Sequence, residues 1–254
     1  MDKEIELRHI KNFDLNKKIH LIIFNTIART IGLFTLETKA IMKIKIEKAE
    51  ENLNRFRGET LLLEECKAIS NYLLMENPRH EKALTCLAEA YYQDTYQGGL
   101  SFRKMKLLKG YKWILKAIAI NPKNEEVRSL QALYIVYLLS PSKAEYLLKG
   151  IDNWRTTLAY GMITTKNEDA DGLELYMTRS IKNCPKSRKA FLVNHTGAAL
   201  SMIGHKKKSI HYYEEAINID PDFAWPYYNL GLREEEISNE DAANEYANKE
   251  LGIL

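Results

Sequence analysis

Apolar residues return every three to four positions along most of this chain, the spacing of helices that bury one face. From Lys18 to Leu36 they fall at Ile19, Ile22, Ile23, Ile27, Ala28, Ile31 and Phe34, which predicts an amphipathic helix. The next stretch, TKAIMKIKIEKAEENLNRFR from Thr38 to Arg57, contains IMKIKI, which alternates as a strand would. Its Lys, Glu and Ala flanks are strong helix formers and decide for helix. From Glu59 the segment ETLLLEECKAISNYLLMENP runs as a helix to Asn77-Pro78, and HEKALTCLAEAYY opens another. Gly98-Gly99 marks a turn before a long helix from about Ser101 to Ile120. EEVRSLQALYIVYLL follows, then a break at Ser140-Pro141-Ser142, where a serine is placed to cap, and two looser helical segments to Thr165. DGLELYMTRSIKNCP ends at Pro185, two apolar segments meet at Gly204, and EDAANEYANKELGIL predicts a closing helix.

Some of these segments repeat. KAIAINP at Lys116 to Pro122 and EAINIDP at Glu215 to Pro221 end two helices in nearly the same words. Tyr213, Ala216 and Pro221 supply a bulky ring, a small contact residue and a helix-ending proline, and Tyr227, Asn229, Leu230 and Gly231 restart the pattern. Leu84, Leu87, Ala88 and Tyr91 take matching places earlier. Small residues (Ala88, Ala117, Gly197, Ala216, Gly231) let helices approach, large ones fill the gaps between units, and each proline fixes the exit direction.

Over residues 185–254, and again over 59–125, this resembles the tetratricopeptide repeat, a helical hairpin with a period of about 34 residues. Pro185 to Pro221 is 36 residues and Pro78 to Pro122 is 44, while the 63 from Pro122 to Pro185 fit two units of which one is shortened. The resemblance implies an all-α, right-handed superhelical solenoid of about five hairpins after residue 40. Residues 1–58 are expected as an N-terminal helical cap and 59–254 as the repeat domain. It further implies a concave groove lined by the first helix of each unit. Mapped onto the clearest units, that face receives Phe191, Asn194, Ala198 and Ser201, then Trp225, Tyr228 and Leu232, with Lys82, Thr85, Glu89 and Tyr92 from the earlier unit. The lysine and asparagine clamp by which cochaperone members grip a terminal carboxylate is missing: Asn229 fits, but Asn194 and Ala198 stand at its other positions.

The formal net charge of +3 implies no overall attraction to nucleic acid or membrane, so neither is expected as a partner. A basic segment with Arg103, Lys104, Lys106, Lys109, Lys112, Tyr111 and Trp113 reads as a charged outer helix face. The apolar stripe of residues 17–36 reads as a cover for the first repeat rather than a membrane-lying helix. The N-terminus lacks a secretory pattern, and Cys66, Cys86 and Cys184 form neither a disulfide framework nor a zinc motif, which predicts a cytoplasmic protein.

Candidate chemistry is sparse. GAALSMIGHKKKS has the residues of a phosphate loop but not the spacing, so Gly204 is read as a hairpin turn and His205 to Lys208 as its rim. The six histidines form no metal-ligand pair, His195 reads as a core or groove residue, and no nucleophile motif or cofactor signature is present. The expectation is therefore a non-catalytic scaffold that holds a protein or peptide segment in its groove, without cofactor or metal. The apolar C-terminal end is a second candidate contact, with a copy of the chain. The alternative is a small-molecule binder or enzyme with a pocket in the irregular middle, 126–184.

Overall fold

The computed structural model describes residues 36–56, 60–95 and 100–253. The helix expected over Lys18 to Leu36 and the Gly98-Gly99 turn lie outside them, apart from the last residue of that helix. Among the described residues there are twelve α-helices and no strand. They are α1 (Leu36–Arg55), α2 (Thr60–Glu76), α3 (Glu81–Asp94), α4 (Leu100–Ile120), α5 (Glu125–Leu138) and α6 (Pro141–Leu148). Then follow α7 (Trp154–Lys166), α8 (Ala170–Asn183), a 3₁₀ turn (Lys186–Arg188), α9 (Lys189–Met202), α10 (Lys206–Ile219), α11 (Ala224–Glu236) and α12 (Glu240–Ile253). IMKIKI lies inside α1, as its flanks predict.

Contacts divide the chain into Met1–Lys45 and Ile46–Leu254. Of the first unit the described part is the opening of α1, where Ile41 and Ile44 are exposed. The second unit is an all-α helical repeat solenoid. Helices α3/α4, α5/α6, α7/α8, α9/α10 and α11/α12 pair as hairpins, and α2 packs on α3. Each hairpin's first helix also packs on the next: α3 on α5, α5 on α7, α7 on α9 and α9 on α11. The shortened unit is α5/α6, whose second helix has only 8 residues against 21 in α4.

Local chemistry starts most helices where the sequence breaks. Asn124, Asn153 and Asp169 accept backbone N–H groups at the starts of α5, α7 and α8, and the His80 ring does so for α3. Ser140 precedes α6 without a side-chain cap, leaving Pro141 to start it. Gly204 makes the α9–α10 turn at φ +88°, where a side chain is strained.

Between units the core is built of rings and small residues. Tyr134 is fully buried, and its hydroxyl donates to the Ala88 carbonyl at 2.5 Å. Burial pushes its pKa well above the usual phenol value. The first hairpins are also clasped by charge. Asp94 on α3 takes Lys67 of α2 at 2.6 Å and Lys106 of α4 at 2.7 Å. Burial alone would raise the Asp94 pKa, but the two ammonium groups hold it below the ordinary value. The cysteines are free and buried.

Candidate binding channel on the concave face

The repeat register shows which side chains line the inner face. Lys82, Glu126, Arg155, Phe191 and Trp225 each stand six residues before a small residue: Ala88, Ala132, Gly161, Gly197 and Gly231. They begin a stripe on α3, α5, α7, α9 and α11, and two neighbouring pairs along it touch. Arg155 lies 3.8 Å from Glu126, and the Phe191 and Trp225 ring centroids are 6.0 Å apart.

The centre of this face is an acid held by two bases. Glu89 of α3 accepts from Arg155 of α7 and from Arg188, at the head of α9, each at 2.7 Å. The Gln93 amide also lies against the Arg188 guanidinium. Burial alone would raise the Glu89 pKa, but the two guanidiniums hold it below the ordinary carboxylate value. Glu89 therefore stays ionised. Arg155 also lies over the Trp154 ring at 4.5 Å.

One turn further along, Tyr137 of α5 collects two more cations. Arg103 of α4 lies 5.5 Å from its ring centroid and Lys166 of α7 lies 5.8 Å away. Tyr92, three residues beyond Glu89 on α3, is 6.3 Å from the same ring. His195 is buried beside this group, with Nε2 2.9 Å from the Met162 sulfur and its ring stacked on Phe191 at 5.8 Å. Burial, aided by the charge of Arg103, lowers the His195 pKa to about 3, so the ring is neutral at physiological pH. Arg155 and Arg188 thus meet one buried carboxylate, while Arg103 and Lys166 lie beside the Tyr137 ring.

The other end is aromatic. Trp225 is flanked by Phe191, by Phe223 at 5.6 Å and by Phe56 at 5.3 Å, the last edge-to-face. Phe56 follows α1, whose buried residues Ile46, Ala49 and Leu53 share its stripe. Glu50 of the same helix pairs with Lys82 at 3.2 Å, and the Asn52 amide donates to Glu65 at 2.9 Å. Residues 46–56 thus touch α2, α3 and α11.

The residues expected in the groove occupy varied surroundings. Lys82 is exposed and bound to Glu50, Thr85 returns its hydroxyl to the Glu81 carbonyl, and Glu89 is the buried acid at the centre. Tyr92 is packed among Tyr134 and Tyr137. Phe191 and Asn194 are buried, and Asn194 accepts from Asn229 at 2.9 Å. Ala198, Ser201, Trp225 and Leu232 are half-buried, while Tyr228 is 49% exposed. Sequence reasoning missed Gln93, Arg103, Tyr137, Arg155, Lys166 and Arg188. For Arg155 the signal was present, since Gly161 sets the register of α7 as Gly197 sets that of α9.

In the middle, 126–184, a cleft of about 340 Å³ lies between α5 and α6, lined by Gln131, Ile135, Ser142, Lys143, Tyr146 and Leu147. Among the described residues no group of three or more His, Cys, Asp or Glu is placed to hold a metal ion, and no helix is long and apolar enough to cross a membrane.

No protein-family model matches the sequence, and no curated protein sequence matches it. Solved structures do. The human IFIT1 dimer with PPP-AAAA is similar at a TM-score of 0.56 and 18% identity, over 76% of this chain and 46% of that one. A monomeric IFIT1 mutant with m7Gppp-AAAA is similar at 0.56 and 14% identity, over 92% of this chain and 55% of that one. YrrB, a TPR protein with an unusual peptide-binding site, matches at 0.40 and 15% identity, over 72% of this chain and 91% of that one. The chain spans about half the length of the IFIT1 chains it matches. The fold is thus a TPR-like helical solenoid.

One expectation needs correction. Nucleic acid was excluded as a partner on the near-balanced net charge, yet the IFIT1 structures with this helical fold carry RNA. Net charge sums over every surface and hides local groupings of cations such as those around Glu89 and Tyr137.

Proposed function

We propose that this chain is a non-catalytic binding module whose concave channel receives the phosphorylated end of a single-stranded RNA. The observation that carries this reading is the convergence of Arg155 and Arg188 on one buried carboxylate, beside a run of rings through Phe191 and Trp225. Guanidiniums bind phosphate oxygens through paired donors, and aromatic faces stack unpaired bases. A channel with both along one wall suits a charged end followed by bases. The RNA ligands of the structurally similar IFIT1 support the same ligand class.

The test is fluorescence anisotropy with 5′-triphosphorylated and 5′-hydroxyl oligonucleotides of one sequence. The triphosphate form should bind at least about tenfold more tightly, with affinity falling as salt rises. Arg155→Glu should abolish the difference between the two ends. Equal binding of both ends, or none, would overturn the proposal.

A second reading has one specific observation behind it. Residues 46–56 lie against two residues of the proposed face, through Glu50 on Lys82 and Phe56 on Trp225. A protein segment presenting an acid and an aromatic residue at that spacing would fit in their place. If a peptide of residues 46–56 binds a chain truncated to begin after Phe56 while both oligonucleotides fail, the channel serves peptides.

A further inference from the structure

The channel does not use the outer face of α4. This helix, LSFRKMKLLKGYKWILKAIAI, contains five lysines, one arginine and no acidic residue. Its inward residues Leu107, Gly110, Ile114 and Ala117 are buried. At 100° per residue its outward residues Lys104, Leu115, Leu108, Ala119, Lys112, Met105, Lys116 and Lys109 all fall within an arc of about 140°. Within that arc Met105 is 47% exposed, Leu108 53% and Leu115 45%. Lys104 and Lys109 stand at its two edges. Lys104, Lys109 and Lys112 are exposed and make no ion pair among the described residues, Lys116 lies 4.5 Å over the Trp113 ring, and Lys106 is spent on Asp94.

We infer that the outer face of α4 docks on an anionic phospholipid surface. The charge matches phosphate-bearing headgroups, and lysine stems reach past an apolar centre to their level. The three exposed apolar side chains decide between ligands. A nucleic-acid backbone or an acidic peptide uses the lysines but leaves Met105, Leu108 and Leu115 in water, whereas a bilayer interface buries them. The helix lies on the surface and does not cross it.

The experiment is flotation of the full chain with vesicles of pure phosphatidylcholine and vesicles containing roughly one-quarter phosphatidylserine. The chain should float with the anionic vesicles only. The triple variant Lys104→Glu, Lys109→Glu, Lys112→Glu should lower partitioning about a hundredfold, at about fivefold per lysine lost. Leu108→Ser with Leu115→Ser should lower it about tenfold with every lysine intact. These side chains are exposed, so circular dichroism melts of all variants should match the parent. Flotation that ignores phosphatidylserine would overturn the inference. So would serine variants that partition like the parent, which would make the face a purely electrostatic surface for RNA or acidic protein.

Discussion

At one and the same position of the repeat, α3 and α7 carry Lys82 and Arg155, whereas α9 and α11 carry Phe191 and Trp225. Six residues later all four helices carry alanine or glycine. The contrast separates two kinds of constraint. The small position lies where two helices meet, and packing allows little else there. At the inner-face position the polarity varies from helix to helix. One half is therefore charged, with a dehydrated group at Glu89, Arg155 and Arg188, and the other half is a box of rings. Dehydrating ions costs more than burying rings. Apolar residues in place of Glu89, Arg155 and Arg188 should therefore cost the fold little.

That contrast is broken most strongly at Glu89. Glu89→Gln leaves two dehydrated guanidiniums without their counter-charge, and we expect a loss of about 3–5 kcal/mol in urea unfolding. The triple replacement Glu89→Leu, Arg155→Met, Arg188→Leu removes the whole charged group and should regain most of that stability. The two variants divide structure from function. If the triple variant folds like the parent and still prefers triphosphorylated RNA, the arginines hold the fold and not the ligand.

How much of this was visible in the chain follows from the same division. Packing rules act locally, so the hairpins were legible from ring, small residue and proline, as at Tyr213, Ala216 and Pro221. Even the compressed unit showed, since the 63 residues between Pro122 and Pro185 fit α5 to α8 only with α6 cut short. The site was legible where a glycine set the register: Gly197 led to Phe191, and Gly231 to Trp225. It was not legible where long-range convergence decides. Glu89 and Arg188 are 99 residues apart, and nothing local marks either as the other's partner. Residues 46–56 follow no repeat pattern, so nothing periodic marks their contacts with Lys82 and Trp225. Net charge misled about nucleic acid because it averages over the surfaces that matter.

A next sharpening uses pH, because His195 sits where the charged and aromatic halves meet. Its folded pKa of about 3 lies below the ordinary 6.5. Between those values the unfolded chain binds the proton and the folded chain does not. Stability is therefore full above about pH 6.5 and falls by up to about 1.4 kcal/mol per pH unit below it. Glu89 adds a loss of the same sign only below its ordinary value of 4.5. His80, also lowered by burial, contributes in the upper window. His195→Phe keeps a ring on Phe191 and should flatten the fall between pH 6.5 and 4.5, leaving the share of His80. An unchanged slope in that variant would mean that acid enters the fold elsewhere.

The smallest effect contrasts two glycines at equivalent positions. A Cβ on Gly197 would meet the Tyr213 ring at 2.7 and 2.8 Å and the Ser209 carbonyl at 3.0 Å, and neither has room to give. A Cβ on Gly161 would meet the sulfur of Met177 at 2.8 Å, the flexible part of an unbranched side chain. Gly197→Ala should therefore cost about 1–3 kcal/mol by overpacking, despite the better helix propensity of alanine. Gly161→Ala should cost less than about 1 kcal/mol, since Met177 can change rotamer and alanine stiffens the unfolded chain. Thermal melts of the two variants side by side would decide it. Equal losses would mean that the α7/α8 hairpin is as rigidly packed as α9/α10. A clear difference would place the adaptable joint of the solenoid in α7, the helix that supplies Arg155 and Lys166 to the charged half of the channel.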